Sequence, residues 1–409
     1  MDHFSRRKFI KSTVLMGAAS MVGCSSTPEV DDAKIFAPPA EVSASTLVGK
    51  VPTGVLGKTG VTVPIISHGG GYELNNVMVA RAFDLGINYF DVADCYLNGQ
   101  SEVILGKVLE KQGKRKDAFI VTKNHPKQFK DLLVMVDQRL TSLRTDYLDL
   151  YFMHQLGDAE YPKECVDWPK SKELKEVVET LKKQKKIKFF GFSCHAGILP
   201  QAMEAAAEGG FVDAIMLRYN FREVNSDALN RAIDKAKQAN IGLIAMKTQG
   251  GRVSFQEKAD SFKEKGFNQA QSTLKAVWAD GRMDTIVSNM PSLQIVQENA
   301  IAALQKEISQ TERQMLDDYA KATNHLVCHG CDHLCSSQVN SPVRIGDTLR
   351  YLMYHDNYEE YSRAKDLFGK LPLEAREAIF TTDFKMAEAA CPHNLEIGKM
   401  LHKAAHKLA

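Results

Sequence analysis

Four side chains of four different chemistries follow one another at the ends of three apolar runs. Asp91 sits in Phe90-Asp91-Val92-Ala93-Asp94-Cys95-Tyr96, Lys123 closes Ile120-Val121-Thr122-Lys123, and His154 closes Leu150-Tyr151-Phe152-Met153-His154. With Tyr96 they offer a carboxylate, a phenol, an ammonium and an imidazole. Reducing a carbonyl needs hydride on carbon and a proton on oxygen. A nicotinamide supplies the hydride, and the protein orients and polarises. A free phenol titrates near ~10, and a neighbouring ammonium stabilises the phenolate and lowers that value. We therefore expect Lys123 to acidify Tyr96, Asp91 to hold Lys123, and His154 to position the carbonyl oxygen or share the proton. Each residue alone has an ordinary use as surface charge or ring packing. Their shared placement at consecutive strand ends is what points to catalysis.

Such placement needs a scaffold that aims strand ends at one rim. From Val61 onward, short runs rich in Val, Ile, Leu and Phe cover 63–67, 87–92, 118–122, 148–153, 188–193, 212–217, 242–246 and 285–287. Continuous apolar runs suit parallel strands buried on both faces. Between them, helical spacing covers 77–85, 102–111, 130–143, 171–183, 199–208, 226–239, 268–279 and 293–304. Eight alternations predict a (β/α)8 TIM barrel over 51–305, with chemistry on the loops at its C-terminal face. No Gly-x-Gly-x-x-Gly follows the first run, which weighs against a Rossmann fold. The long stretch 155–170, with Tyr161 and Trp168, either lines the substrate pocket or tucks its aromatics against the barrel.

The 409 residues carry 52 Lys plus Arg against 50 Asp plus Glu. No basic stripe interleaved with aromatics stands out, so nucleic acid is not an expected partner. The run from Lys182 to Lys188 reads as a solvated helix end, where cations suit the dipole. Residues 1–24 read as a targeting segment. Ser5-Arg6-Arg7-Lys8-Phe9-Ile10-Lys11 resembles a twin-arginine export signal, and Met21-Val22-Gly23-Cys24 resembles a lipoprotein cleavage box. The apolar stretch between them is too short to span a bilayer of ~30 Å. The expectation is export by the twin-arginine route to a periplasmic or membrane-anchored position, with the membrane met only through a lipid on Cys24. Residues 25–50, rich in Ser, Pro and Ala, read as a flexible tether.

Beyond the barrel, 306–409 reads as a small, mostly helical domain, with helical spacing over 311–322, 347–355, 357–368, 373–380 and 395–408. It opens with Cys328-x2-Cys331-x3-Cys335, and Cys391 stands far downstream before Pro392. Four thiolates, the last followed by Pro, suit one [4Fe–4S] cluster. Structural zinc is the alternative, with His329, His333 and His393 close by. Twin-arginine export carries folded proteins, which fits a cofactor loaded beforehand.

Phe-Asp-Val-Ala-Asp-x-Tyr, Val-Thr-Lys and Leu-Tyr-Phe-Met-His resemble the motifs of the aldo-keto reductase family over about 51–303. The resemblance implies a nicotinamide cofactor, NAD(P)H, and a small-molecule carbonyl substrate, with Asp91, Tyr96, Lys123 and His154 as the catalytic set. It also implies cofactor contacts from Ser193 in Gly191-Phe192-Ser193, from Lys247 in Ile244-Ala245-Met246-Lys247, and from Glu298-Asn299 at the adenine end. The cysteine tail resembles the ferredoxin-like domain of some members. Departures concern the cofactor. Cys194 and Met216 stand where the family places Asn and Gln, and Asn289 and Ile295 where NADPH-specific members place Lys and Arg. They leave a second reading, an electron-transfer protein that meets a redox partner and uses the barrel as a scaffold.

Overall fold

The computed structural model describes residues 30–36, 49–71, 74–158, 161–223, 226–251 and 256–409. The expected signal at 1–24, with Cys24, lies outside them. A hairpin of β1 (Thr53–Val55) and β2 (Thr62–Pro64) precedes eight parallel strands. These are β3 (Ile66–Gly69), β4 (Tyr89–Asp91), β5 (Phe119–Asn124), β6 (Leu148–Met153), β7 (Ile187–Cys194), β8 (Ala214–Arg218), β9 (Gly242–Met246) and β10 (Thr285–Asn289). They close in sequence order, with β10 pairing β3. The expected TIM barrel is what forms. The first expected run, 63–67, is divided: Pro64 ends β2, and the barrel strand starts two residues later.

Helices on the outside are α1 (Asp32–Ile35), α2 (Asn76–Asp84), α3 (Gln100–Gln112), α4 (Asp131–Ser142), α5 (Lys172–Lys183), α6 (Leu199–Gly209), α7 (Asp227–Gln238), α8 (Gln256–Glu264), α9 (Gln269–Trp278), α10 (Leu293–Leu304) and α11 (Gln310–Thr323). The barrel interior is filled as a core. Leu56 and Val63 of the hairpin reach full burial there beside Tyr89, Phe152, Met216 and Ile244. Gly191 shows how tightly β7 and β8 meet: a Cβ there would lie 1.9 Å from the Ala214 carbonyl oxygen, so only glycine fits.

Two expectations about the ends change. Part of the 25–50 tether is docked, because Ile35 buries itself in the barrel core, Asp32 pairs with Lys107, and Lys111 lies over the Phe36 ring. Beyond the boundary expected at 305/306, α11 packs with the barrel. Met315, Leu316 and Tyr319 of α11 bury against Phe221, Phe262 and Ala276, and Arg222 bonds Thr323 Oγ1 at 2.7 Å.

The remaining helices are α12 (Asp332–Ser336), α13 (Ile345–Tyr358), α14 (Tyr361–Gly369), α15 (Leu373–Glu377), α16 (Lys385–Ala389) and α17 (Ile397–Leu408). They share a separate core that includes Leu349, Leu352, Phe368, Ile379 and Leu401. This tail sits on the strand-end face of the barrel. Arg350 Nη1 donates to Asp158 Oδ1 at 2.8 Å and also meets His195, while Lys247 Nζ donates to Tyr354 Oη at 3.1 Å.

One buried acid under the active rim has a measurable consequence. Glu102 of α3 accepts from Thr122 Oγ1 at 2.5 Å and lies 3.3 Å from Arg139 Nε. Burial, opposed by Arg139, pushes its carboxyl up from 4.5 to about 7. The charged form is disfavoured in the fold. Its stabilising contribution is thus complete below about 4.5 and is lost as pH rises through about 7. A shift of this size corresponds to roughly 3 kcal/mol. Glu102→Gln removes this dependence: relative to the variant, the wild-type unfolding free energy should fall between these pH values in urea titrations.

Candidate active site

The C-terminal ends of β4, β5 and β6 deliver Asp91, Lys123 and His154 side by side. Lys123 Nζ lies 2.6 Å from Asp91 Oδ1 and donates to the Val92 carbonyl at 2.8 Å. Both side chains are buried, at 1% and 2% exposure. Burial raises the Asp91 carboxyl, and Lys123 pulls it back. Removing either partner would leave an uncompensated buried charge.

Tyr96 starts the short turn after β4. Leu97 and Asn98, which follow it, have φ of 52° and 55°. Left-handed backbone at a branched residue such as Leu97 is unusual and marks a constrained turn. The turn brings the Tyr96 ring over Lys123, with Nζ 4.8 Å from the ring centroid, and edge-on to His154 at 5.7 Å. Among the described residues, no hydrogen bond joins the Tyr96 hydroxyl to Lys123 or His154. The phenol is held well above its ordinary range, chiefly by burial and then by Asp91, with Arg363 opposing. In the fold, burial outweighs the lowering expected of Lys123. The ammonium faces the ring rather than the oxygen, and its hydrogen bonds go to Asp91 and Val92.

His154 is 3% exposed. Burial, then His125, Lys123, Arg363 and Lys247, holds it well below the usual imidazole range, so it is neutral. Cys95 Sγ lies 3.7 Å from its Nδ1, and the Tyr161 hydroxyl donates to its backbone carbonyl at 2.8 Å. Tyr161 also packs edge-on against Trp168. Of the two readings of 155–170, the aromatics follow the second and tuck against the barrel.

A cleft of about 1500 Å³ joins Asp91, Tyr96, Lys123 and His154 to Ser193, Lys247, Glu298 and Asn299. The Ser193 hydroxyl accepts from the Gln155 amide at 2.9 Å, and Asn299 Nδ2 donates to Ser288 Oγ at 3.1 Å. Met216, Asn289 and Ile295 line the same cleft, while Cys194 is buried in the core. The sequence reading missed one wall. Tyr354, Tyr358 and Arg363 of the tail enter the cleft. Tyr351, Tyr354 and Tyr358 repeat at helical spacing, a signal that reads equally as packing for the tail's own core.

Cys328, Cys331, Cys335 and Cys391 all line a second cavity of about 310 Å³, closed by Leu334, Ile345, Leu349, Leu395 and Ile397. Burial pushes the Cys328 thiol up to about 12, and burial followed by the Asp332 carboxylate pushes Cys335 up to about 11. Without a cation such a cage disfavours thiolate.

A closed parallel barrel whose strand ends carry an acid, a phenol, an amine and an imidazole around one cleft is a TIM barrel with a candidate active site on its strand-end face. The aldo/keto reductase family model matches residues 71–328. The chain belongs to the aldo/keto reductase family. It is 23% identical over 290 residues to the uncharacterized oxidoreductase YqkF of Bacillus subtilis, covering 61% of this chain and 90% of that protein. It is 29% identical over 178 residues to the aldo-keto reductase yakc [NADP(+)] of Schizosaccharomyces pombe, covering 37% and 48%. Among solved structures it is similar to the holo form of the aldo-keto reductase AKR11C1 from Bacillus halodurans. That match has a TM-score of 0.53 and 19% identity over 66% of this chain and 96% of the other.

Proposed function

We propose that this chain reduces a small-molecule carbonyl with a nicotinamide cofactor, Tyr96 giving the proton. The carrying observation is the buried Lys123–Asp91 pair under the Tyr96 ring, beside His154, in a cleft long enough to continue to Asn299. Ser193, Lys247, Glu298 and Asn299 would hold the cofactor, which supplies the hydride. The raised phenol keeps its proton at neutral pH until charge develops on the substrate oxygen. Tyr96 Oη then releases it, and the Lys123 ammonium below the ring face offsets the phenolate that results. Neutral His154 donates an N–H to the same oxygen and orients it.

The four cysteines fit one [4Fe–4S] cluster better than zinc. Sulfurs bound to one zinc at ~2.3 Å lie no more than about 4.6 Å apart. Among the described residues, no three cysteine sulfurs draw within 4.8 Å of one another, although all four line one cavity. We read 324–409 as the domain that carries this cluster. Residues 1–24 are read as the export signal, with anchoring at Cys24. Burial of Cys194 and Met216 at the nicotinamide strand favours the competing redox-partner reading. One experiment separates the two: anaerobically purified protein is assayed for iron, sulfide and oxidation of NADH and NADPH with an aldehyde panel. Nucleotide oxidation that requires the aldehyde is expected. Iron and sulfide without any such oxidation would favour the redox-partner reading.

A further inference from the structure

We infer that Asp94, His125 and His154 form a binding site for one divalent transition-metal ion. One ligand atom from each of the three lies within 4.8 Å of the other two, a grouping that no other His, Cys, Asp or Glu trio among the described residues makes. Two imidazoles and a carboxylate form a facial set for zinc or iron-group cations and leave positions open for water or substrate.

The surroundings are arranged as a metal site needs. Asp94 Oδ2 accepts from Asn124 Nδ2 at 2.6 Å, and Asn124 Oδ1 in turn accepts from the Tyr151 hydroxyl at 2.9 Å. That chain fixes the carboxylate. Its other oxygen, Oδ1, is shielded from solvent and has no partner. A buried, unpaired carboxylate oxygen is costly, and a cation would satisfy it. His125 Nε2 lies 3.2 Å from Gln155 Oε1. With the proton there, Nδ1 presents a lone pair, the outer-shell device that orients metal-binding histidines. The His125 and His154 rings stand 4.6 Å apart at 39°. His154 brings a ring nitrogen to the same point.

Three of the cations near the site have acids of their own. Lys123 is paired with Asp91. Arg139 is 3.3 Å from Glu102 and 3.8 Å from Asp94 Oδ2, and Arg363 is 2.7 Å from Glu360. Ligands on one zinc at ~2.1 Å require the trio to close by about 1 Å. His125, half-buried just past β5, is the member that would make this adjustment.

The test is zinc binding by the full chain with its cysteine site as purified, which needs no turnover. Zn2+ is titrated calorimetrically into wild type and His125→Ala. Wild type should take up one equivalent more, and the variant should lose at least about tenfold in affinity for that equivalent. Co2+ gives a second readout. Its visible ligand-field bands, read as a difference from the protein before Co2+ is added, should weaken in the variant, while the iron and sulfide content of the cysteine cage stays unchanged. His125→Gln, closer to histidine in volume, serves if the alanine variant folds poorly. Equal zinc stoichiometry and affinity in wild type and variant, or no uptake outside the cysteines, overturns the inference. A chain that reduces no carbonyl but shows the difference sinks only the reductase reading.

Discussion

Tyr96→Phe should lower kcat/KM for an aldehyde by about a thousandfold or more, with nucleotide affinity unchanged. The size follows from general acid catalysis, which contributes about 10²–10⁴-fold. The loss should sit in kcat, because the hydroxyl is needed only when the substrate oxygen becomes basic. The substitution also leaves the fold alone. The ring keeps its places over Lys123 and beside His154, and no protein hydrogen bond to the hydroxyl is lost among the described residues. Steady-state kinetics and a fluorescence titration with nucleotide read the two effects separately. Retained turnover in the phenylalanine variant would remove Tyr96 from the chemistry and leave the redox-partner reading standing.

The second large effect is expected at Cys391→Ser. Cys391 lies just past α16 and reaches the same cavity as the three cysteines around α12. With the proposed cluster bound, it would join the C-terminal half of the tail to the N-terminal half. Losing one of four ligands should cut metal affinity by about a hundredfold or more, since even outer-shell changes cost 10–100-fold. Iron and sulfide per chain should fall together, along with visible absorbance. The tail should then melt earlier than the barrel, because its small core depends on that join. Unchanged iron content in the serine variant would show that Cys391 is not a ligand.

Much of this architecture is legible in the sequence, and the reason is periodicity. The runs 148–153 and 242–246 coincide with β6 and β9, and the run 293–304 with α10, because each is bounded by clear polar turns. Placing Asp91, Lys123 and His154 on adjacent strand ends requires only strand order, which the barrel fixes. Other features depend on depth and direction, which spacing does not carry. Whether Lys123 meets the phenol oxygen or its ring face depends on the turn at Leu97 and Asn98. The burial that keeps Tyr96 protonated comes partly from a tail about 250 residues further on. The short α1 segment escaped because one buried Ile35 and a single ion pair leave almost no pattern. His125 and Asp94 were invisible as partners, because their meeting requires β4 and β5 to be neighbours and two loops to bend together.

The seam between barrel and tail also bears on the order in which the molecule is made. Chains leave the ribosome from their N-terminus, and folding follows. Arg350, which closes against Asp158 and His195, and Tyr354, which meets Lys247, emerge after every strand of the barrel. A nascent chain that has reached only the end of the barrel therefore carries Asp91, Tyr96, Lys123 and His154 but lacks the wall of the cleft that Tyr354, Tyr358 and Arg363 supply.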